Sequence, residues 1–402
     1  MKIVFISVWY SEGMGYSENM FPKALANLGE DVHMVTSTAQ IYYHLPNYDK
    51  IYKPYLGPRF VDSGIKKIDG YTLHRLPYYE TQNIYRGPGI KALYDYLEKL
   101  KPDVIQTFEI MLETTLIAAK YARENNCLFF TECHTHASAF RKDHKKTYKE
   151  KVKNFLNSFN SKLKLINDTT KICYPIAVDV AELVVSYYKV PKKKIKIQSL
   201  GVDTNIFFPP QTEEHQTVRN EIRKSFGFLP TDILCIYTGR FTKDKNPHCL
   251  AKAIHTLNEN GLPFKGLFIG NGPEEDISFI QSLKGCQIGS FVPANQLPGY
   301  YWAADIGVWP REESTSQLDA MACGLPLVLS NRIKVIERIK DNGFLYEEGN
   351  HLHLAATLQK MLSPEIRKQM SINGIKKIEE KFSWKVIATE RLNDYKVFKE
   401  HK

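Results

Sequence analysis

Short apolar runs alternate with helical segments along nearly the whole chain, and that alternation leaves few folds open. Runs at 3–7, 32–36, 72–76, 104–107, 128–131, 172–174 and 195–198 read as strands, and the patterns at 19–28, 90–100 and 115–124 read as helices between them. A buried strand followed by a helical pattern, repeated, predicts βαβ crossovers and a parallel, doubly wound sheet of the α/β class. The alternation restarts after the segment 201–209 (GVDTNIFFP), with strands expected at 233–238, 264–269, 287–288, 306–309 and 327–329. A chain of 402 residues can build two such cores. The expected division is 1–203, 204–381 and a terminal stretch at 382–402 whose helix runs over 384–399.

The most informative stretch lies at 304–330. An apolar run at 306–309 is ended by Pro310, a polar turn follows at 311–316, and a short apolar helix is expected over 317–323 before Gly324 and Pro326 stop it. In an open parallel sheet, ligands bind beyond the carboxyl ends of strands, where helices begin. That point carries Glu313, Ser314, Thr315, Ser316, Gln317 and Asp319. Free amides at a helix start hold anions such as a diphosphate. An ionised carboxylate only accepts hydrogen bonds, so Glu313 and Asp319 suit a hydroxyl-rich ligand. The bland alternative is a buried strand–helix unit with a solvated acidic turn.

A second turn of the same kind follows the strand at 233–238, which ends at Gly239. Arg240 and Lys245 flank a polar turn there, and Pro247 stands near a helix start. Arg offers a bidentate fork and Lys a point charge, so the pair makes a diphosphate cradle. The alternative is a surface turn with two solvated cations. Gly270 follows the next strand, and Val292 the one after it, each in a common type of turn.

In the first half, Gly13 and Gly15 follow the first strand, which permits close backbone approach to a ligand. The spacing is not G-x-G-x-x-G, and no acidic residue stands where a ribose ligand would follow the second strand, which argues against a dinucleotide. His134 and His136 flank Thr135 after the strand at 128–131. With Cys133 they do not complete a tetrahedral set, so no metal is assigned, and a loop His donating to a ligand hydroxyl is the functional reading. Residues 141–171 carry ten cations against Asp143, Glu150 and Asp168, with apolar residues interleaved. A basic amphipathic helix reads as peripheral membrane-surface contact, and a solvated charged helix is the alternative.

The net charge of +10 is uneven, +8 in residues 1–203 and +2 in the rest. No recognition-helix or RNP-like motif accompanies it, so nucleic acid is not an expected partner. Seven scattered cysteines without a C-x-x-C pair point to reduced thiols in cytoplasm. No run of about eighteen apolar residues exists, so no membrane-spanning helix is expected. The opening apolar stretch is too short for a secretory h-region.

The run Leu318-Asp319-Ala320-Met321-Ala322-Cys323-Gly324-Leu325-Pro326 resembles the donor-binding signature of retaining glycosyltransferases of family 4. Gly239-Arg240 with Lys245-Asn246-Pro247, and Phe382-Ser383-Trp384, resemble further elements of that family. Family members carry Glu, seven residues, then Glu; here Glu313 stands six positions before an Asp. The resemblance implies a GT-B fold, two Rossmann-like domains facing across a cleft, the last helix packing back on the first. It implies a glycosyltransferase that moves a sugar from a nucleotide-diphospho-sugar to an acceptor hydroxyl with retention, with no metal or other cofactor. Arg240, Lys245 and the amides of Ser314, Thr315, Ser316 and Gln317 would neutralise the departing diphosphate. Asp319 would take the ribose, Glu313 the sugar hydroxyls, and Gly239, Gly270 and Val292 would lie near the nucleotide. His134, with His136 as fallback, and the Gly13–Gly15 loop would border the reacting carbon. The basic first half is compatible with a lipid-linked or cell-envelope glycan acceptor and peripheral contact at the inner face of the membrane, and equally with a soluble glycan or a small molecule; the acceptor is not legible in the sequence, and the protein is expected to be cytoplasmic. A non-catalytic glycosyltransferase-like scaffold and a nucleotide-sugar epimerase on the same fold remain as alternatives. The nucleotide, the sugar and the linkage are not legible in the sequence.

Overall fold

The computed structural model describes residues 1–80, 88–135, 161–311 and 314–400. The chain divides into two units, Met1–Leu200 with Ile387–Lys402, and Gly201–Val386.

The first unit holds a seven-stranded sheet. Its strands are β1 (Lys2–Ile6), β2 (Asp31–Ser37), β3 (Gly64–Ile68), β4 (Tyr71–Leu76), β7 (Val104–Thr107), β8 (Leu128–Cys133) and β9 (Cys173–Pro175). Two short strands, β5 (Tyr78–Tyr79) and β6 (Gly89–Ile90), pair separately. The order is β3-β4-β2-β1-β7-β8-β9. β7 and β8 are buried along their whole length, as a parallel strand covered on both faces must be. Within the seven-stranded sheet every pair is parallel except β3 with β4. This antiparallel edge was not expected, and β3 is exposed at four of its five residues. The stretch 195–198 contributes only an isolated bridge, Ile195 with Cys173, rather than the expected strand.

The second unit holds six parallel strands. They are β10 (Ile233–Arg240), β11 (Phe264–Asn271), β12 (Cys286–Gly289), β13 (Ile306–Trp309), β14 (Leu327–Ser330) and β15 (Gly343–Tyr346). Their order is β12-β11-β10-β13-β14-β15. A single core of aliphatic and aromatic side chains, including Ile236, Leu267, Val308 and Val328, is fully buried across this sheet.

Both sheets have one place where the connections change direction. In the first unit β1 leads to β2 on one side while its other neighbour, β7, leads to β8; in the second, β10 leads to β11 while β13 leads to β14. The loops leaving such a pair diverge, and a crevice opens beyond the strand ends. The helix Trp384–Glu400 begins in the second unit, where Val202 N–H donates to Phe382 O at 2.8 Å and Trp384 N–H to Val202 O at 3.1 Å. From Ile387 onward it is part of the first unit.

Candidate functional site

In the second unit the crevice lies between the loops after β10 and β13. Gly239 and Gly270 sit opposite each other at the ends of β10 and β11 with φ of 149° and 150°. A Cβ on Gly270 would stand 1.9 Å from Gly239 O. These glycines are therefore demanded by strand packing, whatever ligand they meet.

Arg240 follows and is exposed. Tyr237 Oη donates to its carbonyl at 2.9 Å, and the turn closes with Lys245 and Asn246 N–H both donating to Thr242 O, at 3.0 and 2.9 Å. Asn246 holds φ at 51°, and Pro247 opens the helix Pro247–Glu259, where its missing N–H is no loss. Burial pushes the Asp244 carboxyl up, but the fields of Arg240 and Lys245 are among the influences that hold it below its ordinary value. Both cations thus act on one small volume at the helix start.

Beyond β13 the chain passes Pro310 and Arg311. Arg311 Nη1 donates to Lys243 O at 3.5 Å, a long bond that ties this turn to the Arg240 turn. Glu313, like Glu312, lies outside the described residues. The helix Ser316–Ala322 begins one residue earlier than expected. Its first amides turn onto Ser314: Ser316 N–H donates to Ser314 Oγ and Gln317 N–H to Ser314 O, both at 3.3 Å. Thr315 is exposed. The Gln317 side chain is fully buried and accepts from Arg338 at 3.4 Å, so only its backbone faces the turn.

Asp319 is half-buried, and among the described residues its carboxyl has no hydrogen-bond or ion-pair partner. Burial alone raises its pKa to about 8. Burial thus makes this carboxyl harder to ionise than a free carboxylate, and hydrogen bonds from a ligand's hydroxyls would favour the ionised form. Val292 is half-buried in the loop after β12, two strands from β10 on the same end of the sheet.

In the first unit the crevice is acidic. Gly13 and Gly15, with φ of 78° and 70°, carry the chain from β1 to the helix Ser17–Asn27. A Cβ on Gly13 would meet nothing within 4 Å, so there the glycine serves backbone conformation rather than packing. Glu132, at the end of β8, is 3% exposed. It accepts from Arg391 Nη1 at 2.6 Å, from Gln106 Nε2 at 2.6 Å and from His134 Nε2 at 2.7 Å. Arg391 is itself buried, donates through Nε to Gln198 Oε1 at 2.8 Å, and lies 3.4 Å over the Tyr174 ring. Burial would lower the His134 pKa, but the bond to Glu132 and the charges of Glu132, Glu18 and Glu109 raise it to about 9. His134 is therefore an imidazolium at neutral pH, a donor with no acceptor capacity. Thr135 Oγ1 lies 3.3 Å from both Glu109 oxygens, and burial pushes Glu109 up. Sequence reasoning did not single out Glu109, Glu132 or Arg391. His136 and most of the basic stretch, 136–160, lie outside the described residues.

Residues 218–377 match the family described as Glycosyl transferases group 1, a span wholly inside the second unit. Over that span the second unit is similar to group 1 glycosyltransferases. Among curated relatives, this chain is similar to spore coat protein SA of Bacillus subtilis, 27% identical over 54% of the chain and 62% of that protein. It is also similar to the capsular polysaccharide biosynthesis glycosyltransferase CapM of Staphylococcus aureus, 24% identical over 52% of the chain and 56% of that protein. The chain thus spans about three-fifths of the length of the curated relatives it matches. Among solved structures, sucrose-phosphate synthase from Thermosynechococcus elongatus superposes with TM-score 0.68 at 17% identity, covering all of both chains. Anabaena HepE in complex with UDP superposes with TM-score 0.69 at 12% identity, covering 98% of this chain and 99% of the other. These likenesses show the fold, which is GT-B, with two α/β units.

Proposed function

We propose that this chain transfers a sugar from a nucleotide-diphospho-sugar to an acceptor hydroxyl, with retention at the anomeric carbon and with protein cations in place of a divalent metal. The observation that carries the reading is the pair of cations, Arg240 and Lys245, on one turn beyond β10, tied to the turn beyond β13 at the point where the sheet changes direction. A diphosphate there would gain two charge-assisted contacts and could take over the long amide bonds now made to Ser314. As the sugar bond breaks, negative charge grows on the diphosphate, and fixed cations stabilise that charge without having to reorganise. Asp319 would accept from ribose hydroxyls, Glu313 from the sugar. On the first unit, His134 and the Gly13–Gly15 loop take the sugar- and acceptor-side part. The HepE structure, of the same fold, is a complex with UDP, which supports a nucleotide ligand. The CapM relative is named for capsular polysaccharide biosynthesis, which supports a glycan acceptor.

A thermal-shift panel of nucleoside diphosphates and their sugars, with magnesium and with EDTA, tests this. A ligand that binds only the folded state raises the melting temperature by mass action. The expected result is a shift from one base, the same in EDTA, lost in Arg240→Ala. No shift from any nucleotide would count against the reading, and a shift that requires magnesium would remove its metal-independent part.

A further inference from the structure

A cavity of about 420 Å³ lies in the first unit at the β3–β4 edge, and none of the donor-side residues lines it. Its walls combine three kinds of chemistry. Leu56, Val61, Ile65 and Leu73 are apolar, Tyr55 presents an aromatic ring, and Arg75 brings a guanidinium. Tyr55 and Ile65 are 48% and 66% exposed, so both stand at the mouth, whereas Arg75 is only 8% exposed.

Arg75 is the unusual member. Its Nη1 donates to Ser37 O at 3.2 Å and its Nη2 to Tyr10 O at 3.3 Å, and it lies over the Tyr10 ring. Among the described residues no carboxylate comes within ion-pairing distance. Glu12 also lines the cavity, but its charge is answered by Lys66 Nζ at 2.6 Å. Asp62, the other acid, is exposed at the rim and solvated. A guanidinium carries five N–H groups, and two of Arg75's are directed at backbone carbonyls. Buried cations are ordinarily paired, and an unpaired one keeps most of its desolvation cost. Burial pushes the Arg75 pKa down from its ordinary value, and the charge of Glu12 only partly offsets it.

We infer that this cavity is a binding subsite for an acidic saccharide, a sugar ring bearing a carboxylate or phosphate. The acid group pairs with Arg75, and the ring lies against Leu56, Val61 and Tyr55. An apolar ligand or a neutral sugar would leave Arg75 without a direct ion pair, its charge met only by the field of the Lys66-paired Glu12. Glu12 directly precedes the Gly13–Gly15 loop, so the subsite adjoins the loop assigned to the acceptor side. The inference rests on the transferase reading and deepens it, because it names the chemistry of the acceptor.

The test is calorimetric titration of the full chain with methyl glucuronide, glucose 6-phosphate and methyl glucoside, and separately with the nucleoside diphosphate. The acidic sugars should bind about tenfold more tightly than the neutral one, as expected for a hydrogen bond to a charged partner. Whichever acidic sugar binds better names the group. Arg75→Gln should erase that preference while nucleotide affinity is unchanged. Because Arg75 also braces two carbonyls, Ile65→Glu at the exposed mouth supplies a second variant, which should weaken acidic-sugar binding at unchanged melting temperature. Equal binding of all three sugars, no binding of any, or a preference that survives both variants would overturn the inference. If nucleotide binds and acidic sugars do not, the subsite alone has failed. If nucleotide does not bind, the transferase reading has failed.

Discussion

The two crevices are built in opposite ways. In the second unit the polar groups are left unanswered: Arg240 is exposed, and the half-buried Asp319 carboxyl has no partner among the described residues. In the first unit the charges are buried and satisfy one another, with Glu132 receiving Arg391, Gln106 and His134 at once. An open group leaves its interaction energy for a ligand. A closed network spends that energy on structure and fixes the orientation and charge of its one half-exposed member, His134. Under the proposed reading, the residues after β10 and β13 keep their contacts for the donor, and His134 is held as a cation by Glu132.

The largest predicted effect breaks the closed side. Arg391→Met leaves the buried Glu132 with His134 as its remaining cation, and removing one partner from a buried charge network costs about 3–5 kcal/mol. Urea unfolding should show that loss. A loss below about 1 kcal/mol would mean the network is not what holds this part of the first unit together.

The next effect sharpens the open side. Burial alone holds Asp319 protonated near neutrality, whereas ribose hydroxyls bind the ionised form, and hydrogen bonds to that form lower the pKa. Nucleotide binding at pH 7 should therefore release a proton, seen as a buffer-dependent heat in calorimetry. Asp319→Asn should abolish the release and weaken binding about tenfold. Without ligand, the raised folded-state pKa makes wild-type stability fall as pH climbs from about 4 through about 8. Asp319→Asn should lose that decline and be the more stable protein at pH 9.

The smallest effect tests His134. Its folded pKa of about 9 lies above the ordinary 6.5, so the folded chain keeps a proton that the unfolded chain gives up. The stabilisation is complete below about pH 6.5 and is lost as pH rises through 9, a dependence of up to one proton. His134→Gln should show a shallower fall in melting temperature between pH 7 and 10. An unchanged slope would place His134 outside the Glu132 network.

What the sequence revealed follows from how local each signal is. Arg240, Lys245 and Pro247 lie within one turn, so strand end, cations and helix start could be read together. The buried runs of β10 and β13 announced parallel strands for the same reason. The β3 edge was missed because GIKKI is exposed on both faces and carries no alternation to read. Arg391 stands 259 residues from Glu132, and no short pattern links them. His134 was legible as a loop histidine, but its charge is set by Glu18, Glu109 and Glu132, which three separate parts of the chain supply. Asp319 was legible as an acid, whereas its proton depends on helix packing that sequence does not show.

The central claim is that two protein cations hold a diphosphate without metal. Calorimetric titration of one nucleoside diphosphate in EDTA, into the wild-type chain and into Arg240→Ala/Lys245→Ala, tests it most directly. The account predicts binding to the wild type and about a hundredfold loss in the double variant, near 1.4 kcal/mol for each cation, at an unchanged unliganded melting temperature. Equal affinity for both proteins, or no binding to the wild type until magnesium is added, would contradict it.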